Sequence, residues 1–158
     1  MEIVDSLIHG RWIVPVVPQG QILENHTLVI NGTKIKDIIP TNEIIGRYQA
    51  HHETHCSEHL LIPGFINAHT HAAMSLFRGI ADDIPLKSWL EKHIWPLEEK
   101  YVDEDFVFDG TRLAIAEMIR SGTTCFADMY FYPESSAEVI AEAGYRARLG
   151  MVISDFAT

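Results

Sequence analysis

The sequence predicts an α/β fold with a parallel sheet, preceded by a small all-β segment, and three observations carry that expectation. From Leu60 onward, apolar strand-like runs alternate with helical patterns, the order that builds a parallel sheet, doubly wound or closed into a barrel. Before residue 60 there is no helical periodicity, and Leu28-Val29-Ile30, Asn31-Gly32 and Ile35 to Ile39 form a hairpin signature, in which Asn-Gly supplies the positive φ of a tight turn. The 158 residues are 47% hydrophobic and 22% charged, a globular rather than a disordered composition.

Taken in order, Trp12 to Val17 is apolar and β-branched and reads as a strand, which with the hairpin makes a small antiparallel sheet. Residues 46–59 (GRYQAHHETHCSEH) are polar and follow neither period, so they read as a connection. Leu60-Leu61-Ile62 with Phe65-Ile66 reads as a strand buried on both faces, ending in Asn67-Ala68-His69-Thr70-His71. Leu86, Trp89, Leu90, His93, Ile94 and Leu97 recur at helical spacing behind Asp83 and Pro85, and Pro96 should end or kink that helix. A second helix is expected from Asp103, its cap, to Ser121, with Gly122 as the stop. Thr123 to Tyr130 is strand-like, Ser135-x-x-Glu138 is a capping box for a short helix closed by Gly144, and Arg146 to Ile153 is a further strand.

The net charge of −10 and a pI near 5.2 argue against nucleic acid or an anionic membrane as the main partner. The N-terminus has no basic region ahead of an apolar stretch, and no apolar run approaches the roughly 20 residues of a membrane span. A cytoplasmic protein is the expectation. Cys56 and Cys125 are the two cysteines, far apart, so neither a disulfide framework nor a CxxC motif is available.

His69 and His71 are the residues that carry chemistry. Two apart at a strand end, they point to the same side of the sheet. In a β/α barrel that side is the interior, at the end where active sites sit. Two neutral imidazoles are half of a site for zinc, iron or a similar divalent ion. Ala72 and Ala73, which follow, are small enough to leave space at such a mouth.

The segment IPGFINAHTHAAMSLFRGIADD (Ile62 to Asp83) resembles the first strand and loop of the amidohydrolase superfamily. LKSWLEKHIWPLEE (Leu86 to Glu99) and AEMIRSGTTCFADMYF (Ala116 to Phe131) make the chain similar to the 5-methylthioadenosine/S-adenosylhomocysteine deaminases of that superfamily. The resemblance implies a (β/α)8 metallo-dependent hydrolase barrel with a small β-sandwich. Residues 1–59 would be the N-terminal strands of that composite sandwich, and residues 60–158 the first three barrel strands with their helices. The barrel is expected to be incomplete, because the fold takes roughly 200 to more than 400 residues. The resemblance further implies one divalent metal ion, zinc in most of the family, and a small-molecule nucleoside substrate. The reaction implied is hydrolytic deamination, water activated by the metal attacking C6 of the adenine ring and releasing ammonia. His69 and His71 match the first two metal ligands, and Glu98 matches the acidic residue that binds the ribose hydroxyls. The remaining ligands and the proton shuttle fall beyond Thr158 in this family. The resemblance therefore assigns no catalytic residue within this chain, and the isolated 158 residues are expected to be inactive.

Other features read as structural. His51, His55 and His59, spaced four apart with Cys56 among them, would share a helical face as a second metal site, but they lie in the polar stretch read as a solvated loop. Asp128, at a strand end, is open to two roles, approach to the pocket or hydrogen-bonding of a neighbouring loop, and is left out of the site. Cys125 is read as a small buried hydrophobe, and Trp89, Trp95, Phe106 and Phe108 as helix packing, with Trp89 set apart because its helix also carries Glu98. Arg78, Arg146 and Arg148 are read as solvated salt-bridge partners. Hydrophobic helices point to a homo-oligomer. Two readings stand beside the deaminase: a related amidohydrolase acting on guanine, another aminopurine or a triazine, and a non-catalytic remnant with vestigial histidines.

Overall fold

A computed structural model describes residues 1–153 of the chain. It divides into two compact units, Met1–Pro63 and the residues from Gly64 onward.

The first unit is a four-stranded sheet of β1 (Glu2–Ile13), β2 (Leu23–Asn31), β3 (Lys34–Pro40) and β4 (Tyr48–Leu61), in the order β3-β2-β1-β4. The expected hairpin forms between β2 and β3, with Asn31 opposite Lys34 and the positive φ, 59°, on Gly32. Val4, Leu7, Val29, Ile39 and Ile44 make the core.

Two expectations fail in this unit. Residues 46–59, read as a connection, are mostly β4, which pairs parallel to β1 from Glu2–Tyr48 to Ile13–Leu61. The sheet is thus mixed rather than antiparallel. β4 is an outer strand whose side chains are largely exposed, so main-chain hydrogen bonds hold it and no apolar alternation marks it. The strand expected at Trp12–Val17 instead begins at Glu2 and ends at Ile13. Pro15 and Pro18 remove two ladder donors beyond that point, and Val16 turns to φ 70°.

The second unit has a parallel three-stranded sheet of β5 (Phe65–Thr70), β6 (Thr123–Met129) and β7 (Arg146–Gly150), in that order. The helix α3 (Glu104–Arg120) precedes β6, and α4 (Pro133–Glu142) connects β6 to β7. Ala72, Ala114, Ile115, Phe126 and Val139 form one core cluster; Ala73, Val107 and Tyr130 form a second. Thr111 and Ser136, both buried, hydrogen-bond at 3.2 Å between α3 and α4.

The apolar run from Leu60 to Ile66 is not one strand. Leu60 and Leu61 finish β4, the chain breaks at Pro63-Gly64, and β5 starts at Phe65. Nor is β5 buried on both faces: Phe65 and Ile66 are 57% and 72% exposed, because β5 is an outer strand of its sheet. Ala72 and Ala73 do not leave space either. They are buried in the 3-10 turn Ala72–Phe77, and Gly110 of α3 packs against Ala73 so closely that a Cβ there would lie 2.5 Å from the Ala73 carbonyl oxygen.

The helical stretch behind Pro85 continues through Pro96 as α1 (Leu86–Trp89), a π-helical segment Leu90–Ile94 and α2 (Trp95–Tyr101). Pro96 lacks the N–H that a regular turn would use, and the widened π turn before it accommodates the missing bond. Asp83 does not cap this helix; it lies in the left-handed region, at φ 59°. Asp103 caps α3 as expected, its carboxylate accepting from the Phe106 N–H at 2.8 Å, and Gly122 follows at φ 79°. The Ser135 capping box does not form: α4 opens at Tyr132–Pro133, which leaves Ser135 inside the first turn. Gly144 closes α4 at φ 60°, and β7 ends at Gly150, short of Ile153. Among the described residues, no helix is long and apolar enough to cross a membrane.

Candidate metal centre

His69 lies in β5 and His71 immediately follows it, at the carboxyl end of the strand. Their rings meet edge to face with centroids 5.1 Å apart, the convergence expected of positions two apart. His71 Nδ1 lies 2.5 Å from the Met129 carbonyl oxygen. A carbonyl can only accept, so Nδ1 carries the proton and Nε2 keeps a lone pair, the form in which a ligating histidine is held by its outer partner. His69 is exposed and open to solvent.

Two residues at the end of β6 complete the surroundings. Asp128, opposite Thr70 in the parallel register, is 3% exposed, and its Oδ1 accepts the Ala72 N–H at 2.8 Å. That bond ties the chain just beyond His71 to β6, one of the two roles the sequence leaves open for Asp128. Asp128 Oδ2 is buried without a hydrogen-bond partner among the described residues. Tyr130, 6% exposed, lies with its ring centroid 6.1 Å from that of His71. Its hydroxyl donates to Glu98 Oε1 at 2.8 Å, so the acidic residue singled out from the WPLE segment is brought to the histidines through Tyr130.

Burial dominates the electrostatics of this cluster. Burial pushes the Asp128 carboxyl above its usual range, against the pull of the Ala72 N–H and His71. Burial does the same to Glu98, opposed by the Tyr130 hydrogen bond and by His71. Tyr130 is raised by burial and then by its bond to Glu98, so it stays a donor. A divalent cation at the histidine pair would favour the charged form of both carboxylates. The oriented His71, the orphaned Asp128 oxygen and the desolvated carboxylates therefore fit a bound metal ion. Among the described residues, no third imidazole, thiol or carboxylate completes a close three-ligand cluster with His69 and His71.

Tyr130 was missed in the sequence, although the strand-end argument that singled out His69 and His71 applies equally to Asp128 and Tyr130 at the end of β6. The other residues weighed behave as side chains of the fold. Arg78 makes a two-point ion pair with Glu117, at 2.8 and 2.6 Å. Phe106 packs on Phe77, and Trp95 is half exposed. Cys125 is half-buried rather than buried.

The sequence pattern of the amidohydrolase family matches residues 60–156. A 5-methylthioadenosine/S-adenosylhomocysteine deaminase from Saccharophagus degradans is 53% identical over 154 residues, covering 98% of this chain and 34% of the relative. A 5'-deoxyadenosine deaminase from Methanococcoides burtonii is 42% identical, over 94% of this chain and 33% of the relative. Among solved structures, an adenosine deaminase from Xanthomonas campestris with bound zinc superposes with a TM-score of 0.95 at 43% identity, covering 99% of this chain and 36% of that one. The chain spans about a third of the length of the curated relatives it matches.

Proposed function

Because this chain belongs to the amidohydrolase family, we propose that it forms the metal- and ribose-binding front of a hydrolytic deaminase of adenine nucleosides, with 5-methylthioadenosine and S-adenosylhomocysteine as its substrates. The observation that carries this reading is the linked set of His69, His71 and Tyr130 at the carboxyl ends of β5 and β6 with Glu98 of α2, which Tyr130 joins to them. Relatives named for adenine-nucleoside deamination, at 42% to 53% identity over nearly the whole chain, support the substrate class.

In this reading His69 and His71 hold one divalent ion, zinc by the imidazole donor set and by the zinc of the Xanthomonas neighbour. Such an ion lowers the pKa of water enough to supply a hydroxide nucleophile at neutral pH. His71 is kept in register by the Met129 carbonyl, and Asp128 holds the turn that follows it. Glu98 accepts the ribose hydroxyls. Tyr130 occupies one lone pair of Oε1 and leaves Oε2 for the sugar, so it is a positioning residue for Glu98. Two histidines fall short of the three protein ligands of a catalytic zinc, so turnover belongs to a polypeptide that extends these residues to the length of the relatives.

The test is ammonia release by such a full-length, zinc-loaded protein from 5-methylthioadenosine, S-adenosylhomocysteine, 5'-deoxyadenosine and guanine. Expected is turnover of the nucleosides and none of guanine. Glu98→Gln should lower kcat/KM on nucleosides by about 10- to 100-fold, the loss of one charge-assisted hydrogen bond of about 1.5–3 kcal/mol. Unchanged nucleoside turnover in Glu98→Gln would remove ribose recognition from that residue, and preference for guanine would overturn the substrate class.

A further inference from the structure

We propose that the first unit carries a second divalent-cation site, formed by His9 of β1 with Glu53 and His55 of β4, and that Zn2+ fits it. Glu53 and His55 are two apart on one strand and share a face, and the parallel register sets His9 opposite His55. One ligand atom from each of the three side chains lies within 4.8 Å of the other two. The His9 and His55 rings stack with centroids 4.5 Å apart and 12° between planes, and Glu53 Oε2 lies 3.5 Å from His9 Nε2. Glu53 and His55 sit in the stretch where β4 replaced the expected loop, so the pairing of that strand with β1 assembles the cluster.

The second observation is the state of His9. Its Nδ1 lies 2.8 Å from Thr27 Oγ1, which in turn lies 3.0 Å from Thr41 Oγ1. Each hydroxyl has one proton, so the chain runs in one of two directions: His9 donates to Thr27 and Thr27 to Thr41, or Thr41 donates to Thr27 and Thr27 to His9 Nδ1. In the first direction His9 Nε2 carries a lone pair, and in either direction it is buried with no hydrogen-bond partner among the described residues. A buried nitrogen facing a carboxylate and a second imidazole is left unsatisfied, and in the first direction a cation satisfies all three groups at once. Two imidazoles and one carboxylate are an established donor set for zinc, with an outer hydroxyl fixing one ring. Glu53 and His55 are exposed, which leaves a route for the ion and room for water as a further ligand. Arg11 lines the same cleft, its guanidinium 4.2 Å from the Trp12 ring centroid.

The alternative occupant of Nε2 is a proton, making an ordinary His9–Glu53 ion pair, and the experiment separates the two. In His69→Ala/His71→Ala, which removes the pair discussed above, the metal-free chain is titrated with Zn2+ by calorimetry and with Co2+ by visible absorption. Expected is one equivalent of metal bound, lost in the further variant Glu53→Gln/His55→Ala, whose exposed positions let circular dichroism verify an unchanged fold. Thr27→Val should weaken binding about 10- to 100-fold. A readout that needs no substitution is the imidazole nitrogen spectrum of the unaltered chain, where Zn2+ should shift His9 and His55. The proposal is overturned by no binding in the double-histidine variant, by binding that survives Glu53→Gln/His55→Ala, or by His9 and His55 signals indifferent to Zn2+. None of these outcomes bears on the deaminase reading.

Discussion

At the residue scale, Glu98 and Asp128 share a cost of burial that shows in how stability depends on pH. Both carboxyls are raised above their ordinary values by desolvation. The folded chain therefore holds protons that the unfolded chain has released, over a window above the ordinary values of 4.5 and 3.8. Stability falls as pH rises through that window. Glu98→Gln should flatten part of that fall, read as a smaller loss of Tm in the metal-free chain as pH is raised; parallel slopes in the two proteins would contradict it. Asp128→Ala removes the only acceptor that the buried Ala72 N–H has among the described residues and should cost about 1–3 kcal/mol in a denaturant titration. A cost below half a kcal/mol would mean that water replaces it.

At the element scale, the contact between α3 and the 3-10 turn Ala72–Phe77 decides how firmly the chain beyond His71 is held. Alanine at position 110 would gain up to about 1 kcal/mol of helix propensity. Its Cβ would also lie 2.5 Å from the Ala73 carbonyl oxygen and 2.8 Å from its Cα, both main-chain atoms that cannot rotate away, and overpacking of this kind costs about 1–3 kcal/mol. Gly110→Ala is therefore expected to destabilise, by up to about 2 kcal/mol in denaturant unfolding, despite its better propensity. A stabilised variant would mean that the helix shifts freely over the turn. The same contact explains why Ala72 and Ala73 are small: they admit a helix backbone rather than leave an opening.

At the scale of the whole molecule, the second unit presents a three-stranded parallel sheet whose outer strands, β5 and β7, have no further neighbour among the described residues. Phe65, Ile66 and Met129 are exposed along it. Parallel sheets are ordinarily covered on both faces, and an open apolar edge is a template for pairing. The 158-residue chain alone is expected to self-associate with rising concentration in sedimentation velocity and to release no ammonia from 5-methylthioadenosine. A monodisperse monomer would refute the first expectation, and turnover in the purified chain the second.

The local devices were legible from the sequence because each is written within a few residues: the Asn31-Gly32 turn, the Asp103 cap, the Gly122 and Gly144 stops, and the convergence of His69 with His71. Family membership was legible for a similar reason, through short segments around the strand ends. Tertiary structure alone decided what depends on pairing across the chain. β4 has no apolar period, and only its ladder with β1 makes it a strand and sets His55 beside His9. Tyr130 reaches Glu98 across 32 positions of sequence, and Met129 orients His71 across 58. Main-chain hydrogen bonds and side-chain reach between distant segments leave no periodic trace in either partner, so they could be read only once the strands were laid side by side.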